Sequence, residues 1–291
     1  MELLYPLFSI ADSTKRIFVF VIIFLLFTVS IQHSEQLFAE TSSVVSFRPN
    51  IIILMLDDLD LRSLDGLRRH GAIPNLEKEI FSQGIEFRES FVTNPVCCPS
   101  RATLLTGQYS HNHHVFANRQ LNGGIASFDD SSTLATWPQS NGYMTTHIGK
   151  YLNGYGIYSE LIDRPLVLSL LREVMQKQDA GISKRYEFSY IPLGWDIWHG
   201  LLDLSTFCAY NFMLNVDDKV YRYFKDGSVT INNVVILPPA RDNIPQHHQT
   251  DVLADHTIEV VRELVSRDEP FFLSKSDEVG PTCRSVWTQR C

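Results

Sequence analysis

The chain has 291 residues, of which 44% are hydrophobic and 20% are charged, and its formal net charge is -8 at pH 7. This length accommodates one large α/β domain or two smaller domains, and the hydrophobic content excludes a generally disordered chain. The acidic balance argues against a nucleic-acid partner, because such proteins usually carry a basic stripe that this composition lacks.

The start of the chain has the layout of a secretory signal. Lys15 and Arg16 precede an apolar run over residues 17–31. The run is shorter than the roughly 20 residues that a membrane-spanning helix needs, which favours a cleaved signal peptide. The alternative is an uncleaved signal anchor, and only in that case do we expect membrane attachment. Residues 1–39 are assigned to this signal and its leader, and the chain is predicted to enter the secretory pathway.

A continuous apolar run over residues 51–56 is followed by Asp57 and Asp58. The run is typical of a central parallel strand covered by helices on both faces. Ligands gather at the carboxyl ends of such strands, and adjacent carboxylates repel each other unless a cation lies between them. Carboxylate oxygens suit calcium or magnesium better than a soft metal. The alternative is a solvated turn after the strand, and Asp60 is assigned to that turn.

The next segment predicts a helix and a strand. Residues 74–83 form the helix, which ends at Gly84, and residues 85–92 form the strand. This order of strand, helix and strand places Asp57 and the following cysteines at one edge of the sheet.

Residues 97–107 read Cys-Cys-Pro-Ser-Arg-Ala-Thr-Leu-Leu-Thr-Gly. Pro99 suits the first position of a short helix, and Gly107 suits a left-handed residue that ends it. Cys97 then lies at the positive end of the helix, where a sulfate or phosphate group meets free backbone N–H groups and Arg101. The alternative is a structural pair of adjacent cysteines, at least one of them in a disulfide.

This stretch resembles the signature of the sulfatase family, which reads cysteine, any residue, proline, serine, arginine, three residues, leucine, threonine and glycine. Asp57 and Asp58 fall where that family carries a paired aspartate after its first strand. The resemblance implies an α/β, alkaline-phosphatase-like fold over residues 48–273, with a central, mostly parallel sheet flanked by helices. It also implies that a formylglycine-generating enzyme in the endoplasmic reticulum converts Cys97 to formylglycine. Asp57, Asp58 and the converted Cys97 would then bind Ca²⁺.

The five cysteines, at positions 97, 98, 208, 283 and 291, are an odd number for an oxidising compartment. Conversion of Cys97 to formylglycine would leave an even number of cysteines. The other four could form two bridges in any of three connectivities.

A histidine-rich segment over residues 109–114 invites a zinc site, but no further cysteine or histidine follows at the spacing of a structural zinc site. The segment is similar to one in N-acetylglucosamine-6-sulfatases and extracellular heparan sulfatases. Either His113 or His114 lines the pocket, or the segment serves loop packing.

Residues 131–141 predict a helix that Pro138 shortens, and residues 143–148 predict a strand. Lys150 follows this strand, in a segment that resembles the one whose lysine contacts the substrate sulfate in sulfatases. The alternative is a lysine that extends along the surface from the end of the strand.

The remaining elements carry fewer candidate residues. Residues 165–178 predict a helix with no counterpart in the family, and residues 210–223 predict a hairpin. Trp195 and Trp198 belong either to the core, which we favour, or to a sugar-stacking surface.

Residues 251–265 predict a long amphipathic helix, and residues 270–273 predict a buried strand. The tail over residues 274–291 matches nothing in the family. The histidine, the Asp-Asn-Gly motif and the second lysine that the family carries later are not found.

The predicted function is hydrolysis of sulfate esters on sulfated sugars, with N-acetylglucosamine 6-sulfate units of glycosaminoglycans as the expected substrate. Cys97 provides the nucleophile, and Arg101 and Lys150 neutralise the developing charge. The expected location is lysosomal or extracellular, with retention in the endoplasmic reticulum as the alternative. The rival prediction is an inactive sulfatase-like protein that binds sulfated glycans without turnover, because no general acid is evident.

Overall fold

A computed structural model describes residues 48–119, 122–156, 188–203, 205–237 and 247–278, and every structural statement below concerns these residues. The predicted signal segment, the predicted helix at 165–178 and the chain after residue 278 lie outside them. Within the described residues, no helix is long and apolar enough to cross a membrane.

The described residues form one eight-stranded sheet with the order β1-β8-β2-β3-β4-β5-β6-β7. Three neighbouring pairs are parallel: β1 with β8, β8 with β2, and β2 with β3. The four pairs that link β3, β4, β5, β6 and β7 in order are antiparallel. The predicted α/β fold with a parallel sheet is therefore confirmed, and an antiparallel extension continues it. The strands are β1 (Ile51–Asp57), β2 (Met144–Gly149), β3 (Ile197–Leu201), β4 (Phe212–Val216), β5 (Lys219–Tyr223), β6 (Val229–Ile231), β7 (Val234–Leu237) and β8 (Phe271–Glu278).

Most of the predicted helices are present, with different bounds. The long amphipathic helix is confirmed, and the helix that contains Pro138 is short, as expected from the restricted backbone of proline. The helices are α1 (Leu61–Arg69), α2 (Pro74–Leu76), which continues as a π-helical turn (Glu77–Phe81), α3 (Cys97–Thr106), α4 (Ser110–His113), α5 (Thr136–Ser140) and α6 (Gln249–Val265).

Helix α1 was not predicted. Asp60, assigned to a turn, is its N-cap, and the Asp60 carboxylate accepts a hydrogen bond from the Ser63 N–H at 2.8 Å. A side-chain acceptor at this position satisfies an N–H group that has no partner inside the helix. The turn after β1 therefore leads directly into a helix.

The predicted strand over residues 85–92 is wrong. This segment is coil, and Ile85, Phe87 and Phe91 are 84%, 79% and 89% exposed. A strand needs a hydrogen-bonded neighbour as well as β-branched and aromatic residues, and β propensity depends strongly on that context. In the described sheet this segment pairs with no strand, and β8 is the strand that pairs with β1.

Two buried clusters lie on the two faces of the sheet. In β8, Phe272 packs with one cluster, which contains α3, whereas Phe271 and Leu273 pack with the other, which contains α6. Successive side chains of a strand point to opposite faces, so a strand covered on both sides reads as a continuous apolar run. Strand β8 is thus the central, doubly covered strand that we expected β1 to be. Among the described strands, β1 is at the edge, with Ile52 and Leu54 half exposed.

Candidate active site

Helix α3 begins at Cys97, two residues earlier than predicted, so Pro99 is its third residue. A proline is tolerated in the first turn, where the N–H groups have no partner inside the helix. Asn118 takes over part of the capping, because its Oδ1 accepts a hydrogen bond from the Cys98 N–H at 2.8 Å. The predicted helix end at Gly107 is confirmed, with a φ of 68°.

Asp57 ends β1 and lies between two cations. Arg101 Nη2 donates a hydrogen bond to Asp57 Oδ1 at 2.8 Å, and Lys150 Nζ donates to Asp57 Oδ2. Burial raises the pKa of this carboxyl, but the charges and hydrogen bonds of Arg101 and Lys150 outweigh burial, and the net pKa is lowered. The carboxylate is therefore ionised at neutral pH, and the two cations offset the repulsion expected from Asp58.

Lys150 follows β2 and is 2% exposed, so the alternative of a surface lysine is wrong. Its Nζ lies 3.8 Å from Cys97 Sγ and 4.4 Å from the centre of the Phe207 ring. A buried ammonium requires compensating charge or polar contacts. Asp57 supplies the charge, and the position of Lys150 brings a cation next to the cysteine.

Arg101 is one turn of α3 after Cys97 and is 5% exposed. Its Nη1 donates to the Lys150 backbone oxygen at 2.7 Å and to the Tyr151 backbone oxygen at 3.3 Å, while its Nη2 donates to Asp57 and to Ser276 Oγ at 2.9 Å. Both Nη groups are thus engaged with the protein. The guanidinium joins α3 to the ends of β1, β2 and β8, and it fixes the geometry of the site.

Cys97 is partly exposed, and its Sγ lies 4.0 Å from Asp57 Oδ2. In the described part of the chain, Asp57 and Lys150 are the polar side chains within hydrogen-bonding reach of this sulfur. The structure therefore brings together Cys97, Asp57, Arg101 and Lys150, all four at the carboxyl edge of the parallel strands.

Asp58 completes a group that can hold a cation. One ligand atom each of Asp57, Asp58 and Cys97 lies within 4.8 Å of the other two. Asp58 is exposed and has a left-handed backbone, with a φ of 61°, which turns the chain after β1. Two carboxylates suit a hard cation such as calcium, whereas a thiol does not. The residues fit Ca²⁺ best when position 97 offers an oxygen.

The adjacent cysteines are both free, so the alternative of a structural disulfide at this pair is wrong. Because two bridges among the four cysteines other than Cys97 must include Cys98, the free Cys98 thiol excludes all three two-bridge connectivities. That thiol is completely buried, and its Sγ accepts a hydrogen bond from the Asn153 N–H at 3.2 Å. Cys208 is disulfide-bonded, and its partner lies outside the described residues.

The histidine-rich segment packs against the back of α3. His113 Nδ1 accepts a hydrogen bond from the Val115 N–H at 3.1 Å, which leaves Nε2 protonated and able to donate to Thr103 Oγ1 at 3.2 Å. Burial lowers the pKa of His113, so this ring is neutral. These contacts support loop packing for the segment. The one metal-ligating group found in the described residues contains no histidine.

Trp195 and Trp198 are 6% and 0% exposed, which confirms that they belong to the core. Trp198 Nε1 donates to the Tyr155 hydroxyl at 2.7 Å, and the Trp198 ring stacks on His147. Buried indole N–H groups usually find such a partner. The sugar-stacking alternative is therefore wrong for both residues.

Three residues at the site were missed by sequence reasoning: Asn118, Phe207 and Ser276. Ser276 lies in the tail that was predicted to follow the last strand, but β8 continues to Glu278 and places Ser276 beside Arg101. The second half of β8 is polar, and sequence reasoning missed it because the continuous apolar run ends at Leu273. No local pattern marks Asn118 or Phe207, since both reach the site through contacts distant in sequence.

Comparison with known proteins gives the following matches. The sulfatase family model matches residues 49–276. Human N-acetylglucosamine-6-sulfatase is 30% identical over 249 residues, which cover 83% of this chain and 35% of that protein. The extracellular sulfatase SULF-1 homolog of Drosophila melanogaster is 32% identical over 186 residues, which cover 63% of this chain and 14% of that protein.

Solved structures are more distant. A protein in complex with its substrate D-glucosamine-2-N,6-O-disulfate gives a TM-score of 0.47 at 21% identity, over 79% of this chain and 34% of that one. The chain thus spans about a third or less of the length of these relatives. The family model covers most of the chain and includes every residue of the site described above, and this chain belongs to the sulfatase family.

Proposed function

We propose that this chain carries the nucleophile, the sulfate-binding cations and part of the metal site of a sulfuric ester hydrolase. One observation carries the proposal: Cys97, at the first position of α3, lies within 4.0 Å of both Asp57 and Lys150. A nucleophile, an anion and a cation in one partly buried site match the needs of displacement at a sulfate group.

Cys97 is the proposed nucleophile after its conversion to formylglycine by the formylglycine-generating enzyme of the endoplasmic reticulum. The hydrated aldehyde would carry two hydroxyls: one would attack sulfur and displace the sugar oxygen, and the second would then lose its proton and expel sulfate, which re-forms the aldehyde. The partial exposure of Cys97 supports this assignment, because a substrate needs access to the nucleophile. The positive dipole end of α3 also favours an anion, but its first-turn N–H groups are largely engaged: the Cys98 N–H donates to Asn118, Pro99 has none, and the Ser100 N–H donates to the Val96 oxygen.

Lys150 is the proposed sulfate ligand, since its ammonium lies beside the nucleophile. Arg101 has a positioning role, because its Nη groups hold Asp57 and the backbone of Lys150 and Tyr151 in place. Its positive charge still lowers the energy of negative charge that develops at the site. Lys150 would thus contact the sulfate, and Arg101 would position the residues around it.

Asp57 and Asp58 are the proposed protein ligands for calcium, together with an oxygen at position 97. Calcium, when bound, would polarise the sulfate oxygens. The ion would meet one exposed carboxylate, that of Asp58, and one buried carboxylate, that of Asp57, which Arg101 and Lys150 hold in place. Calcium takes six to eight oxygen ligands, so water, substrate or other residues supply the rest.

The proposed substrate is a 6-sulfated N-acetylglucosamine unit of a glycosaminoglycan. The support is the similarity to human N-acetylglucosamine-6-sulfatase, which aligns with 83% of this chain. The relatives also include extracellular sulfatases, which agrees with the predicted secretory location. A sulfated glycan is therefore the proposed partner.

The test begins with the chain produced in a secretory pathway that contains the formylglycine-generating enzyme. Mass spectrometry of the Cys97 peptide establishes its modification, and release of sulfate from N-acetylglucosamine 6-sulfate measures turnover. We expect activity that disappears in Cys97→Ala and falls steeply in Lys150→Met. Equal activity in wild type and Cys97→Ala would refute the proposal.

Binding without turnover is the second candidate. It is favoured by the set of side chains around Cys97, because Asp57 and Lys150 are bonded to each other and the described residues supply no separate general acid there. The same preparation is tested for sulfate binding as well as for sulfate release. A modified Cys97 together with sulfate binding and no sulfate release would establish this alternative.

A further inference from the structure

We infer that Phe207 is a positioning residue that holds the Lys150 ammonium at the sulfate-binding position. This inference rests on the proposed function of Lys150. The observation that carries it is the distance of 4.4 Å between Lys150 Nζ and the centre of the Phe207 ring. An aromatic face attracts a cation at this distance through its quadrupole.

Unlike an oxygen ligand, the Phe207 ring restrains the Lys150 ammonium without occupying its N–H groups. A lysine side chain has four flexible carbons, so its charged end needs partners that fix it. Asp57 fixes one side of the ammonium through a hydrogen bond. Phe207 stabilises the charge without accepting a conventional hydrogen bond, so it does not compete with sulfate oxygens for the lysine N–H groups.

The segment that carries Phe207 is tightly anchored, as a positioning role requires. Gln249, 4% exposed at the start of α6, donates from Nε2 to the backbone oxygens of Thr206 at 3.0 Å, Cys208 at 2.9 Å and Ser205 at 3.4 Å. One buried amide thus holds the backbone on both sides of Phe207. Buried polar groups of this kind are costly to leave unpaired, which keeps the segment in place.

Two further contacts anchor the same segment. Ser205 Oγ accepts a hydrogen bond from the Met213 N–H at 2.9 Å, which ties the segment to β4. Cys208 is disulfide-bonded and 3% exposed. Phe207 itself remains partly exposed between these buried neighbours, so its ring borders the site while its backbone is fixed.

The test measures binding of inorganic sulfate by isothermal titration calorimetry at constant ionic strength, with chloride as the control anion. Phe207→Leu removes the ring and keeps an apolar side chain, whereas Phe207→Tyr keeps the ring. Phe224→Leu, a matched change at an exposed phenylalanine in the turn after β5, is the control. Phe207→Met is a second ring-free variant in case the leucine variant does not fold.

We expect sulfate affinity to fall roughly 2- to 30-fold in Phe207→Leu and Phe207→Met, the range that a cation–π contact of about 0.5–2 kcal/mol predicts. Phe207→Tyr and Phe224→Leu should bind like wild type, and melting temperatures report any general loss of structure. A merely structural role would not make affinity follow the presence of the ring.

Lys150→Met distinguishes a failure of the proposed role of Phe207 from a failure of the proposed sulfate site. If this variant loses sulfate binding while Phe207→Leu and Phe207→Met bind like wild type, the role of Phe207 is overturned and the sulfate site stands. If wild type does not bind sulfate, or Lys150→Met binds it equally well, the proposed sulfate site itself fails and the role of Phe207 fails with it.

Discussion

At the scale of single residues, the two cysteines that begin α3 have opposite surroundings although they are adjacent in sequence. Cys98 points into the core and is completely buried, and burial raises the pKa of its thiol to about 12. Cys97 is partly exposed and faces the site. The direction of each side chain on the helix, rather than the sequence signature alone, therefore decides which sulfur is accessible.

In chain produced without the formylglycine-generating enzyme, where Cys97 keeps its thiol, we predict that iodoacetamide at about pH 8 labels Cys97 and leaves Cys98 unlabelled in the folded state. The thiolate is the reactive form, and Cys98 is both protonated and enclosed. Peptide mass spectrometry measures the label. Cys97→Ala should lose the label at this pair, and Cys98→Ala should retain it. Label on Cys98 in native protein would contradict the prediction.

Asp57 is the counter-charge for two buried cations. We predict that Asp57→Asn lowers the free energy of unfolding by about 3–5 kcal/mol, because removal of one partner leaves Arg101 and Lys150 buried without compensation. Urea unfolding measures this loss. Asp58→Asn is the matched control and should change stability by less than about 0.5 kcal/mol, because Asp58 is exposed.

The pH dependence of the Asp57 contribution follows from its lowered pKa. A carboxyl with a depressed folded pKa stabilises the protein above its unfolded pKa, and this stability is lost as the pH falls through the folded pKa. Wild type should therefore lose stability in acid below about pH 4 more steeply than Asp57→Asn does. Parallel acid limbs for the two proteins would contradict the assignment.

Calcium binding gives a separate prediction at Asp58. Calcium should raise the melting temperature of wild type by mass action, since it binds the folded site and not the unfolded chain. Asp58→Asn should weaken that response without the large destabilisation expected of Asp57→Asn, and the Asp57→Asn, Asp58→Asn double variant should abolish it. Differential scanning calorimetry with magnesium as the comparison ion measures the shift; an equal shift in wild type and the double variant would exclude these ligands.

At the scale of elements, a histidine pair joins α6 to the sheet. His256 Nδ1 of α6 and His199 Nδ1 of β3 lie 3.0 Å apart, and His256 Nε2 lies 2.9 Å from the Tyr223 hydroxyl of β5. A hydrogen bond between the two Nδ1 atoms needs one proton, so two charged rings cannot keep this contact. Burial, and then the charge of His256, lowers the pKa of His199 to about 4, and burial lowers that of His256.

The carboxylates near this pair act in the opposite direction. Glu259 and Asp255 of α6 raise the pKa of His256, but burial outweighs them. Tyr223, whose own pKa is raised chiefly by burial, stays protonated throughout the acid range. The pair is thus neutral at physiological pH and resists protonation while the protein is folded.

We predict that acid weakens the docking of α6. Below the unfolded histidine pKa of about 6.5, the unfolded chain binds protons that the folded pair does not, so stability falls by up to about 1.4 kcal/mol per pH unit for each histidine until the folded pKa is reached. Urea unfolding at several pH values between about 7 and 4 measures this slope. His199→Gln should reduce it, and His111→Gln, an exposed histidine outside the pair, should not. An unchanged slope in His199→Gln would contradict the prediction.

At the scale of the whole molecule, a set of large apolar side chains is exposed near β1 and in the coil that follows α2. Three members of the coil, Ile85, Phe87 and Phe91, are more than three-quarters exposed. Soluble monomers rarely show contiguous apolar patches larger than a few hundred Å². The set comprises Ile51, Ile52, Leu54, Leu56, Ile85, Phe87, Phe91, Val92 and Val96.

We predict that the purified 291-residue chain self-associates at micromolar concentration and binds a hydrophobic dye, because this apolar surface and the edge of β1 remain available. Light scattering after size exclusion measures the molecular mass. Phe87→Ser with Phe91→Ser should shift the distribution towards monomer, whereas Val265→Ser, at an exposed residue at the end of α6, should not. A cooperative, monomeric wild type would refute this prediction.

Across the whole molecule, the elements that could be predicted from the sequence are those that depend on local patterns. The helix after Cys97, the hairpin around Asp217, the long helix α6 and the strand before Lys150 were predictable, because each depends on local periodicity and on glycine, proline or turn residues. Asp217 illustrates this local control. Together with Asp218 it adopts positive φ angles of 46° and 73°, as a tight two-residue hairpin turn requires.

The sequence by itself determined the family, the candidate nucleophile Cys97, the paired aspartates and the lysine after β2, since these depend on residue type at fixed spacing. Tertiary structure alone decided that β8 inserts between β1 and β2, that Arg101 braces Asp57 and Ser276, and that Phe207 covers Lys150. The physical reason is that strand pairing and buried polar contacts join residues far apart in the chain. Their free energy depends on burial and mutual geometry, which no local pattern encodes.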